Sequence, residues 1–165
     1  MRTQALLNFC AWIEQTRLSQ IIQGHAWVVP TVQTLHILGI AAVLSSVLMI
    51  NLRLLGVVGR DLTLVSVIGR FAPVIWWTLP LLLLTGAIMI SGEPARSLAN
   101  YAFQLKMLLL VIIIAIMLLL QTKIRRDVTF WEAPALHRGA AKVIALTSLA
   151  LWIGIVCSGR WIAYT

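Results

Sequence analysis

Four apolar stretches, each long enough to cross a lipid bilayer as a helix, constrain this chain more than any other feature of its sequence. They run from about Val28 to Ile50, Phe71 to Ile90, Ala102 to Leu120 and Val143 to Ala163. A helix rises 1.5 Å per residue, so about 20 residues span a hydrocarbon core roughly 30 Å thick. Inside lipid the backbone finds no water, and a helix satisfies its N–H and C=O groups internally. The fold expected is all-α, an integral membrane four-helix bundle forming a single domain over residues 1–165.

Composition agrees. The apolar share is 61% and charged residues make up 11%, against about 45–50% and about 25% in soluble domains. A net charge of +8 could suggest nucleic acid, but the basic residues lie in short connections between apolar runs. There they set membrane orientation. No basic face interleaved with aromatics and no nucleic-acid motif is present, so a nucleic-acid partner is not expected. Cys10 and Cys157 are too few for a disulfide framework or a zinc site.

Arg53, Arg60 and Arg70 follow the first span, and Lys123, Arg125, Arg126, Arg138 and Lys142 follow the third. The segment SGEPARSLAN between the second and third holds only Arg96, offset by Glu93. By the positive-inside rule the two basic loops face the cytoplasm, which places both termini on the periplasm-like side of a bacterial inner membrane. Residues 1–27 precede the first span. Leu6, Phe9 and Ile13 recur at helical spacing, as an N-terminal interfacial helix on the outer leaflet would show; a helix packed on another subunit is the alternative. Pro80 predicts a kink in the second span.

Polar residues at membrane depth are costly and mark functional positions. His36 lies about 12 Å along the first span at 1.5 Å per residue, with Gln33 one turn before it and Gly39 one turn after. A neutral imidazole is a common metal ligand and the usual axial ligand of haem iron; a hydrogen bond to another helix is the structural alternative. Lys106, one turn inside the third span, either snorkels to the headgroups or shares a cavity with His36 and binds an anionic group such as a haem propionate or a quinone oxygen. Gly39, Gly86 and Gly154 fall at matching depth, where small residues admit close helix packing or a flat ligand. Met89, Met107, Met117 and Cys157 offer soft sulfur atoms suited to Cu(I), or simply fill gaps. Arg53 and Arg160 stand at span ends, where arginine snorkels or binds a ligand. Trp76, Trp77, Trp152 and Trp161 read as interfacial anchors or bundle packing. His25 precedes the first span and His137 falls in a loop, so neither is a second intramembrane histidine.

The segments Thr34–Gly56, Ser91–Lys106 and Ala150–Tyr164 resemble an uncharacterised family of small bacterial inner-membrane proteins with four helices, from about Gln23 onward. A histidine early in the first span in a Leu-His-x-x-Gly setting, with an arginine at its far end, is more distantly similar to the CopD copper-resistance family and to HemJ-type protoporphyrinogen oxidases. The HemJ-type similarity implies haem b, with His36 matching the first-helix histidine and Lys106 the third-helix lysine. The rest of the HemJ pattern is not evident, so protoporphyrinogen oxidation is not implied.

The leading expectation is a haem b-binding membrane electron-transfer or redox subunit with His36 as axial ligand, and Lys106, Gln33, Gly39, Gly86 and Arg160 around the cofactor. Copper handling through His36 and methionines is the alternative from a second class. An anchoring subunit that packs on partners and binds nothing is the third. Beyond the lipid bilayer itself, a homo-oligomer or other membrane subunits are the partners expected.

Overall fold

A computed structural model of the chain describes residues 4–59, 61–126 and 138–161. Its helices, in chain order, are α1 (Gln4–Glu14), α2 (Arg17–Gly24), α3 (Val28–Leu54), α4 (Leu64–Gly92), α5 (Pro94–Leu98), α6 (Tyr101–Arg126) and α7 (Arg138–Trp161). Among the described residues there is no strand. Four helices, α3, α4, α6 and α7, are long and apolar enough to cross a membrane. The protein is a multi-pass, all-α membrane bundle.

The spans overrun the apolar windows that reveal them. α3 continues four residues past Ile50 to Leu54, and α6 continues past Leu120 to Arg126. α4 begins at Leu64 rather than Phe71, where the Thr63 hydroxyl accepts a hydrogen bond from the Ser66 N–H at 3.2 Å. Hydropathy marks where lipid begins, whereas a helix ends where its backbone is capped. Residues 162 and 163, the end of the fourth expected span, lie outside the described residues, as does His137. α4 runs unbroken through Pro73 and Pro80, both exposed on its outer side.

α3 packs closely along α4, and α6 along α7. The two pairs join through α3 and α7, and α4 meets α6 only sparsely. Each span presents one stripe inward, with steps alternating between three and four residues as left-handed bundle packing requires. On α3 it runs His36, Gly39, Val43, Val47, Ile50. On α4 it runs Ile68, Ala72, Ile75, Leu79, Leu82, Gly86; on α6, Lys106, Leu110, Ile113, Met117, Leu120, Ile124; on α7, Ala145, Ser148, Trp152, Ile155, Gly159. Lipid tails are as apolar as these side chains, so close packing and interhelical hydrogen bonds hold the spans together. Trp76 Nε1 donates to Gln121 Oε1 at 3.2 Å, tying α4 to α6. The four tryptophans therefore divide: Trp76 and Trp152 belong to the bundle, while Trp77 and Trp161 face outward.

The spans alternate in direction, so the starts of α3 and α6 share one end of the bundle with the ends of α4 and α7. Here α1, α2 and α5 pack over it. The segment expected to form one N-terminal helix forms two. Thr16 separates them: its hydroxyl donates to Ile13 O at 2.6 Å and accepts from the Ser19 N–H at 3.3 Å, closing α1 and opening α2. α2 then caps α4, with Ser19 Oγ donating to Ser91 O at 2.6 Å and Gln23 Nε2 to Gly92 O at 3.0 Å. These are carbonyls of the last helical turn, which have no partner within α4. A Cβ on Gly92 would lie 3.2 Å from Ile22, so glycine permits the approach. At the opposite end Arg53 donates from Nε and Nη2 to Leu62 O, at 2.8 and 2.6 Å, and so holds the α3–α4 connection.

Candidate functional site

At the capped end the four inward stripes stop being apolar. They finish on His36, Gly86, Lys106 and Gly159, two titratable side chains and two glycines. Each glycine lies in contact with one of the polar groups. A Cβ on Gly86 would stand 3.7 Å from His36 Cε1, and one on Gly159 would stand 3.5 Å from Lys106 Nζ.

The imidazole is fixed by a hydrogen-bond chain. His36 Nδ1 lies 2.7 Å from Thr85 Oγ1, and the same hydroxyl lies 2.7 Å from Leu81 O. A carbonyl accepts only, so the single hydroxyl proton goes to Leu81 O, and Oγ1 must accept from the ring. This places a proton on Nδ1, so that in the neutral ring the lone pair is on Nε2. A metal-bound histidine shows the same pattern: one nitrogen bare, the other donating to a neighbouring oxygen.

The residues singled out in the sequence are not all gathered here. His36 and Gly86 come together, and Lys106 lies at the same end of the bundle against Gly159. Gly39 lies one turn deeper and is filled: a Cβ there would meet Leu82 Cδ2 at 2.9 Å and Thr78 Cγ2 at 3.3 Å, so it sets the α3–α4 approach and leaves no room for a flat ligand. Gly154 is likewise in packing: a Cβ there would stand 3.3 Å from Leu109 Cδ1. Gln33 is exposed on α3, and Arg160 is exposed in the last turn of α7. Among the soft atoms, Met117 is buried in the core, whereas Met107 and Cys157 are exposed. His25 is on the surface, with Nδ1 2.9 Å from Ile21 O and its ring edge-on to Trp27. Among the described residues no three His, Cys, Asp or Glu side chains converge.

Thr85 and Gly159 escape the sequence reading. The signal for Thr85 was a hydroxyl inside an apolar run beside a glycine; Gly159 falls on the inward stripe of α7, eleven residues after Ser148.

A family model described as "Family of unknown function (DUF6644)" matches residues 9–165. The chain belongs to this family. The match starts inside α1 and runs through all four spans, so the capped end and the polar finish of the stripes lie within the family's extent. No curated protein and no solved structure matches the chain.

Proposed function

We propose that this protein binds haem b, with His36 Nε2 as the axial ligand, and serves as a membrane electron-transfer or redox subunit. The observation that carries the reading is the Leu81–Thr85–His36 hydrogen-bond chain. It supports a neutral imidazole whose Nδ1 proton is engaged and whose Nε2 is available to a metal.

A bound haem would supply one-electron exchange at its iron. The chain's own part is orientation. Thr85 holds the ring plane, and the close α3–α4 approach at Gly39 fixes the backbone that carries it. The donor set suits one protein ligand rather than two histidines, because His25 is engaged at the surface. Copper is the alternative at the same nitrogen, with Met89 one turn beyond Thr85 on α4; Met107 and Met117 stand ten residues apart on α6, about 15 Å at 1.5 Å per residue, so both cannot approach His36. We further propose that the basic connections around Arg53 and Lys123 face the cytoplasm of a bacterial inner membrane, with the capped end periplasmic.

Oxidised and dithionite-reduced absorption spectra of detergent-purified protein, made with ample haem supply, test the reading against His36→Ala. A Soret band and reduced α-band that the variant loses are expected. A colourless wild-type preparation would overturn haem and turn attention to metal analysis for copper, then to an anchoring role.

A further inference from the structure

Lys106 carries a cation into a part of the bundle where, among the described residues, no acidic side chain pairs with it. The five acidic residues, Glu14, Asp61, Glu93, Asp127 and Glu132, all lie outside the four spans. Lys106 stands about 7.5 Å along α6 from Tyr101 at 1.5 Å per residue, on the inward stripe and half-buried. Among the described residues it makes no hydrogen bond and no ion pair. Its side chain does not simply extend outward: Nζ, Cδ and Cε lie 3.5, 3.8 and 3.8 Å from the point a Gly159 Cβ would occupy. The tip lies against α7 beside Gly159, at van der Waals distance from where a Cβ there would stand. The last turn of α7 contributes a partial negative charge there, but the three ammonium protons are left for something else. A cation at membrane depth is expensive unless it is paired.

We propose that Lys106, seated on Gly159, receives an anionic oxygen group, a carboxylate or phosphate carried by an amphipathic ligand entering at the capped end. Two sources carry this chemistry: the phosphate of an acidic phospholipid and the carboxylates of a porphyrin-like molecule. The inference rests on the capped end being a ligand site, as in the function proposed above, but not on iron ligation.

The test uses haem-free full-length protein, so that axial ligation plays no part. In one arm, phosphatidylglycerol and phosphatidylcholine compete for the protein in nanodiscs, with bound lipid counted by native mass spectrometry. In the other, iron-free mesoporphyrin and its dimethyl ester are titrated by fluorescence. Wild type is expected to prefer the anionic probe about tenfold in at least one arm, and that arm names the source. Lys106→Gln should erase the preference while retaining helicity and melting temperature. Gly159→Leu should reduce it with the lysine still present, and this variant serves if Lys106→Gln fails to fold. Equal binding of charged and neutral probes by wild type in both arms, or a preference that survives Lys106→Gln, would overturn the proposal. Failure of the haem spectrum would leave this result standing, and the reverse also holds.

Discussion

Asn51 on α3 and Ser148 on α7 form a buried polar contact between the two helix pairs: Asn51 Nδ2 donates to Ser148 Oγ at 3.2 Å and to Val47 O at 2.9 Å. Interhelical hydrogen bonds in membranes average about 0.6 kcal/mol and reach about 1.7. Asn51→Ala, Ser148→Ala and the double variant, unfolded in mixed micelles, should therefore give a coupling energy in that range. A coupling indistinguishable from zero would mean that apolar packing alone joins α3 to α7.

Thr85→Val keeps the shape of the side chain and removes the oxygen that accepts from His36. Nitrogen-15 spectra of histidine-labelled protein should show Nδ1 protonated in wild type and a mixture of tautomers in the variant. If haem is bound, its retention should fall about 10–100-fold, the usual effect of losing the partner of a ligating histidine. A wild-type ring protonated on Nε2 would refute the assignment.

At Gly39 a methyl group would meet Leu82 at 2.9 Å. Gly39→Ala should destabilise the bundle by about 1–3 kcal/mol, the range for overpacking a closed core. Gly69 has open space around it, so Gly69→Ala should be neutral or slightly stabilising, since alanine is the better helix former. Thermal unfolding of the two variants side by side provides the comparison.

Removing the caps supplied by Ser19 and Gln23 should loosen the N-terminal helices without disturbing the spans. Each bond is worth about 0.5–1.5 kcal/mol. In Ser19→Ala combined with Gln23→Ala, hydrogen exchange should quicken across α1 and α2 and stay unchanged from Val43 to Ile50. Unchanged protection in α1 and α2 would show that the packing of Cys10 and Ile22 suffices to hold them.

The spans were legible because four runs of apolar residues admit no other structure in lipid, and His36 and Lys106 were legible because each interrupts such a run. Boundaries were less so. Thr63 opens α4 seven residues before Phe71, beyond any hydropathy signal, and Thr16 divides the N-terminal segment through one short hydroxyl bond to Ile13. Thr85 was hidden for a different reason. A threonine bonding back to its own helix is unremarkable in sequence, and only the rotation of α4 against α3 brings it to the imidazole. Rotation is set by packing and not by hydropathy. The same applies to Gly159, whose role depends on where the Lys106 side chain lies. Gly39 was visible as a small residue, but the Leu82 side chain that fills the space beside it was not.

The bond from Ser19 to Ser91 joins residues 72 positions apart in the chain. During synthesis α2 emerges long before the carbonyl it caps exists, and two whole spans must be laid down between them. The start of the chain therefore docks only after α3 and α4 have both crossed, and only if α4 finishes on the side where the first residues wait. A wrongly threaded first pair of spans would leave Ser19 and Gln23 facing one side and their carbonyls the other. The N-terminal helices thus act as a latch, closing only on a correctly inserted pair.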